Sequence, residues 1–183
     1  MYYAIIDVKK ESIGIIWRFS KNKPLIEKIF LPCRRNQLIA RIKQEYSAVG
    51  MNERNIPGNI AERIAGLFAG SKINFDYSLL NLAKLTEFSA KVLKQTSKIP
   101  RGEIATYSGL AQKIGSPKAA RAVGTALAKN PFPLVIPCHR VVRADGSTGG
   151  FGGGIMMKKE LLAKEGVVLD KTGRVAVKCF SLD

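Results

Sequence analysis

Apolar residues open the chain in short dense blocks. Residues 2–8, 13–19 and 25–31 are rich in Ile, Val, Phe, Tyr and Trp, and polar residues with Asn22, Lys23 and Pro24 break them. Runs of this length and composition predict strands, and their close succession predicts a small antiparallel sheet. Between residues 35 and 49 the spacing changes: Leu38, Ile39, Ile42, Tyr46 and Val49 recur at helical intervals, and residues 59–68 give a second, shorter helix. The first part therefore reads as a compact α/β unit. A polar break within residues 70–85 places the boundary, giving an N-terminal domain at 1–82 and a C-terminal domain at 83–183.

Beyond that boundary the pattern is helical. Thr86 is an N-cap for a helix carrying Phe88, Val92 and Leu93, which stops near Ile99 and Pro100. Thr106 caps a helix with Leu110 and Ile114, Gly115 ends it, and Ser116 with Pro117 opens the next over residues 117–129. This is a helix-turn-helix layout, and the whole pattern is α+β. The second helix holds Ala119, Ala120, Ala122, Gly124, Ala126 and Ala128. Such a bare surface packs closely against a neighbouring helix or enters a nucleic-acid groove, and Lys118, Arg121 and Lys129 favour the groove because they can hold phosphates. Pro131, Pro133 and Pro137 then stiffen the chain. Residues 141–148 read as a hairpin around Asp145 and Gly146, which would make a wing. Residues 149–154 are glycine-rich but lack the strand, lysine and helix of a phosphate loop, which excludes that mode of nucleotide binding. A last helix covers residues 155–165 and stops at Gly166.

Charge narrows the class. Thirty Lys and Arg against fourteen Asp and Glu give +16, a surface that attracts polyanions. Residues 88–143 hold ten basic groups and one acidic group, Glu103, so the polyanion site belongs there. Cys33, Cys138 and Cys179 are widely spaced and His139 is the single histidine, which argues against a disulfide framework and a metal centre. The opening residues lack a leader pattern and no run approaches the ~20 apolar residues of a membrane span. The expectation is a soluble protein of a reducing cytoplasm, nucleoid-associated through DNA if prokaryotic, with no membrane partner.

The candidate chemistry centres on Cys138. A cysteine reacts as its thiolate, with a free pKa of roughly 8.5, so a nucleophile needs a base or positive charge nearby. His139 supplies the base, and Arg140, Arg143 and Arg121 supply charge. Adjacent side chains of an extended segment point apart, so a turn or a bridging water is needed between Cys138 and His139. A histidine base also needs an orienting carboxylate. Glu165 is the candidate, since a negative charge at a helix C-terminus opposes the helix dipole and calls for another partner.

The run Pro137-Cys138-His139-Arg140, following Asn130-Pro131-Phe132-Pro133 and Ala120-Arg121-Ala122-Val123-Gly124 and preceding an aromatic-glycine loop, resembles the O6-alkylguanine-DNA alkyltransferases over residues 86–166. The resemblance implies a ribonuclease H-like N-terminal α/β domain and a C-terminal winged helix that binds the minor groove of double-stranded DNA and flips the damaged base. It implies irreversible, single-turnover transfer of an alkyl group from O6-alkylguanine, with O4-alkylthymine a further candidate, onto Cys138, by a monomer with no cofactor and no obligatory protein partner. In that scheme His139 is the base through water and Glu165 orients it. Tyr107 helps rotate the nucleotide and donates a proton to the base, and Asn130 hinges helix to loop. Arg121 fills the vacated stack, with Ala120, Gly124, Lys118, Arg140 and Thr106 completing the DNA contacts. Val141, Phe151, Gly152 and Pro133 surround the base, and backbone groups near Cys138 and Val141 read its exocyclic amine. Two departures stand out: Phe151 replaces the family's usual Tyr, and Gly152 replaces a serine found in some relatives. Two other readings compete. A Cys-His thiol hydrolase would turn over repeatedly. A lesion-binding winged helix without catalysis would lack the acceptor cysteine.

Overall fold

The computed structural model describes residues 1–47 and 51–175; Val49 and Cys179, both noted in the sequence, lie outside them. Strands β1 (Tyr2–Val8), β2 (Glu11–Ser20) and β3 (Lys23–Cys33) form the antiparallel meander expected from the apolar blocks. A short strand β4 (Asn52–Glu53) adds in parallel to β1, giving the order β3-β2-β1-β4. Two exposed residues carry no apolar signal, so β4 was invisible in the pattern.

Strand β2 is buried on both faces, and its alternation shows where each face goes. Ile13, Ile15 and Trp17 enter the main core, while Ile16 joins Phe30 and the buried Leu38 and Ile42 of helix α1 (Arg35–Glu45). Gly14 lets α1 approach this closely, since a Cβ there would sit 2.9 Å from Leu38 Cδ1. Helix α2 (Ile60–Ala69) follows, and two single 3-10 turns at Tyr77–Leu79 and Leu82–Lys84 span the expected boundary.

The second half holds α3 (Glu87–Thr96), β5 (Ala105–Thr106), α4 (Tyr107–Lys113), α5 (Ala120–Ala128), β6 (Val141–Val142) and α6 (Gly154–Lys164). The Thr86 and Thr106 side chains accept from Ser89 N–H and Gly109 N–H, capping α3 and α4 as their positions predict. Two expectations are corrected. Residues 116–119 form a turn, with Ala119 N–H donating to Ser116 O at 2.8 Å, so α5 starts at Ala120 without a side-chain cap. The 141–148 hairpin forms its turn but not its second strand: Val141 and Val142 of β6 pair in parallel with Ala105 and Thr106 of β5.

The two halves share one core. Trp17, Ile26, Val92, Leu110, Phe132 and Leu161 belong to a single buried cluster. At their junction Ile29 N–H donates to Pro131 O at 2.8 Å and Asn81 N–H to Ile26 O at 2.9 Å. The buried Glu27 carboxylate accepts from Arg18 Nε at 2.7 Å and Asn81 Nδ2 at 2.8 Å and pairs with Lys84 Nζ at 2.7 Å. Strand β3 thus braces the loop that leads to Cys138. No described helix is long and apolar enough to cross a membrane.

Candidate active site

A cavity of about 550 Å³ opens beside α5. Its walls are Tyr107 of α4, Ala120, Arg121, Gly124, Leu127 and Ala128 of α5, Arg143, and residues 149–152, with Cys138 also on the lining. The small residues of α5 therefore face this space. Gly149 has φ +68 and meets Tyr107, whose hydroxyl would lie 2.9 Å from a Cβ added there.

The segment carrying the cysteine is held rather than free. Asn130 Nδ2 donates to Ile136 O at 2.9 Å and to Cys138 Sγ at 3.4 Å, while its Oδ1 accepts from Phe132 N–H at 2.9 Å. Leu134 has φ +72, a left-handed backbone that a bulky side chain adopts only when its surroundings impose it. Prolines 131, 133 and 137 and the buried Leu134 side chain supply that constraint. Cys138–Arg140 is a 3-10 turn, the turn demanded by the adjacency of Cys138 and His139.

His139 is 2% exposed, and its Nε2 lies 3.0 Å from Glu165 Oε1. Glu165 also accepts two hydrogen bonds from Arg140, from Nε at 2.8 Å and Nη2 at 2.7 Å. Burial pushes the Glu165 carboxyl up, but the Arg140 and His139 hydrogen bonds and charges outweigh it and hold the pKa at about 2. An ionised Glu165 fixes the proton on Nε2, leaving Nδ1 as the basic nitrogen. Nδ1 has no hydrogen-bond partner among the described residues. Burial holds the His139 pKa below its usual value against the pull of Glu165, so the ring is neutral and able to accept a proton near pH 7.

Arg140 requires a correction. It was expected among the DNA contacts, yet it is buried, forks onto Glu165 and donates through Nη1 to Ile99 O at 2.6 Å. Its charge is consumed inside the protein. The positive groups beside the thiol also differ from those expected. Burial raises the Cys138 pKa, and the opposing groups are Asn130, then Lys158, then backbone N–H groups of Cys138 and His139. The resting sulfur is therefore a thiol.

Lys158 was not singled out in the sequence. It is 0% exposed, with Nζ donating to Val141 O at 2.6 Å and to Thr148 O, and burial lowers its pKa to about 8. Nζ also lies 5.8 Å from the Tyr107 ring centroid. A signal existed: Lys158, Leu161, Leu162 and Glu165 fall at i, i+3, i+4 and i+7, placing a lysine on the buried face of α6. Tyr107 is raised by burial, then by Cys138, so its hydroxyl keeps its proton at neutral pH.

The remaining site candidates divide. Tyr107, Ala120, Arg121, Gly124, Phe151 and Gly152 meet at the cavity. Pro133 and Val141 are buried and lie off its lining, and Val141 O is engaged by Lys158. The Thr106 hydroxyl is engaged as a cap, and Lys118 sits exposed on the 116–119 turn. Among the described residues no His, Cys, Asp and Glu cluster is arranged for a metal.

Fold and site together place a buried cysteine, next to a His-Glu-Arg chain, on a cavity walled by α5. Residues 87–167 match the family model of the 6-O-methylguanine DNA methyltransferase DNA-binding domain. A methylated-DNA–protein-cysteine methyltransferase of Methanothermobacter thermautotrophicus is 50% identical over 101 residues, which cover 55% of this chain and 56% of that protein. The chain thus spans little more than half the length of that relative. The Mycolicibacterium paratuberculosis protein of the same name is 42% identical over 62% of this chain and 67% of its own length. The solved Mycobacterium tuberculosis OGT in complex with DNA superposes with TM-score 0.71 at 29% identity, covering 90% of this chain and 92% of that one. The O6-methylguanine-DNA methyltransferase of Pyrococcus kodakaraensis gives 0.67 at 28% identity, covering 90% and 99%. The chain belongs to the methylated-DNA–protein-cysteine methyltransferase family, and its α+β fold is that of the solved OGT proteins.

Proposed function

We propose that this protein repairs DNA directly, moving an alkyl group from the O6 atom of guanine in a duplex to Cys138. The observation that carries the reading is the buried thiol on a cavity walled by small residues of α5, with a neutral histidine next to it whose other nitrogen is fixed by an ionised carboxylate. A flipped base can enter past Ala120 and Gly124, which project almost nothing into the opening. The thiol proton passes through an intervening water to His139 Nδ1 as sulfur attacks the alkyl carbon. The bond from that carbon to guanine oxygen breaks, its electrons pass into the ring, and Tyr107 donates a proton there so that neutral guanine leaves. Proton exchange with solvent then returns one proton from His139 to Tyr107, which balances the reaction. Lys158 and Asn130 favour the sulfur anion while it lasts.

Arg121 suits the role of filling the stack, since it is exposed on α5 at the cavity rim. The sheet with a parallel fourth strand fits a ribonuclease H-like unit at 1–82, and the helix-turn-helix with the Arg143–Ser147 turn fits a winged helix at 83–183. Phe151 and Gly152 leave the cavity without side-chain hydroxyls on that wall, so the wall favours apolar alkyl groups.

The product is a thioether, which water does not readily cleave, so a hydrolase and a transferase separate by stoichiometry. With excess lesion-bearing duplex, repair stops at one guanine restored per protein molecule. Continued turnover would overthrow the reading.

A further inference from the structure

The resting cavity holds a second exposed arginine that the alkyl transfer leaves without a task. Arg143 follows β6, and its backbone is fixed on both sides: its N–H donates to Ser147 O at 2.9 Å, and its carbonyl accepts from Gly146 N–H at 3.0 Å. Gly146 closes this turn with φ +78, and Asp145 Oδ1 accepts from Ser147 N–H at 3.0 Å and its hydroxyl at 2.7 Å, while Oδ2 faces Arg174 Nη2 at 4.0 Å. The turn is therefore a rigid mount. Arg143 lines the cavity with Cys138, Tyr107 and Arg121, a lining that includes no carboxylate. Among the described residues Arg143 makes no ion pair, in contrast to Arg140. Its charge reaches Tyr107 and Lys158, acting against the protonated form of each, and it also favours the ionised Asp145 carboxylate of its own turn.

A guanidinium held at the edge of a cavity that takes a nucleotide, with no ion pair among the described residues, suits a planar, doubly hydrogen-bonded anion. With Arg121 assigned to the base stack, we propose that Arg143 grips a backbone phosphate of the flipped nucleotide, holding the base over Cys138. The turn that carries Arg143 and the helix that carries Arg121 then embrace the strand from two separate elements. This assignment rests on the alkyl-transfer reading.

The experiment compares wild type, Arg143→Ala and Arg143→Lys. Cys138 alkylation is followed with a duplex carrying O6-methylguanine and with free O6-benzylguanine, which has no phosphate. Arg143→Ala loses about tenfold or more in duplex rate relative to its loss on the free base. The slope of log affinity for duplex against log salt becomes shallower by about 0.9, one phosphate contact. Arg143→Lys restores the salt slope but only part of the rate, since it keeps charge without the fork. Equal losses on the two substrates, or an unaltered salt slope, would overturn the proposal. Failure of wild-type Cys138 to gain an alkyl group from either substrate would instead remove the functional reading beneath it.

Discussion

Glu165 governs how His139 behaves, and Arg140 governs Glu165. Exchanging the carboxylate for an amide leaves the ring without its fixed proton position and leaves Arg140 facing a neutral group in a dry interior. Glu165→Gln therefore slows Cys138 alkylation by about tenfold or more, with little change in duplex affinity, measured by peptide mass against time and by fluorescence anisotropy. An unchanged alkylation rate would leave the Glu165 interactions purely structural. The same residue sets an acid limit. Its pKa falls from an ordinary 4.5 to about 2 in the folded state, so its stabilisation is present above pH 4.5 and is lost as pH falls toward 2. Denaturation midpoints of wild type decline through that window more steeply than those of Glu165→Gln. The sequence pointed to Glu165 through its helix-end position, but nothing local shows that Arg140 turns inward. That depends on Ile99 O and Glu165 arriving from distant parts of the chain.

At the scale of elements, caps and breakers were the most legible signals. Thr86, Thr106, Gly115 and Gly166 each stand at a helix boundary, because their effect is local and chemical. Strand β4 and the β5–β6 pair were not legible, since two-residue strands are made by long-range pairing rather than by their own composition. The turn at 116–119 escaped for a related reason: Pro117 and the alanines are all compatible with helix, yet the Ser116–Ala119 turn delays the start of α5 to Ala120. The glycine-rich loop gives the element-scale prediction. Gly149 has φ +68 and a Cβ there would press on the Tyr107 hydroxyl. Gly149→Ala therefore displaces Tyr107 or the loop, at a backbone cost of about 1–2 kcal/mol. Single-turnover repair of duplex slows by more than the global stability loss accounts for, with thermal unfolding as the control. Repair at the wild-type rate would show that Tyr107 has no fixed place in the reaction.

For the whole molecule, the apolar pattern suggested two units, and buried residues of both halves belong to one cluster, with β3 hydrogen-bonded to the loop before Cys138. Sequence periodicity assigns faces to elements but not the partners those faces meet. Thermal unfolding is accordingly expected as one cooperative transition, and Glu27→Ala, which releases Arg18, Asn81 and Lys84 at the junction, lowers Tm by about 3–8 °C without splitting it. Two separate transitions would show that the shared core does not couple the halves. Under the proposed function, the basic surface, the small-residue helix and the buried thiol serve one chemical event, which leaves a covalent trace. After incubation with a duplex containing O6-methylguanine, the mass of the peptide carrying Cys138 is predicted to rise by one methyl group in place of one hydrogen, with one equivalent per chain. An unmodified Cys138, or a methyl group found on Cys33 instead, would contradict the account.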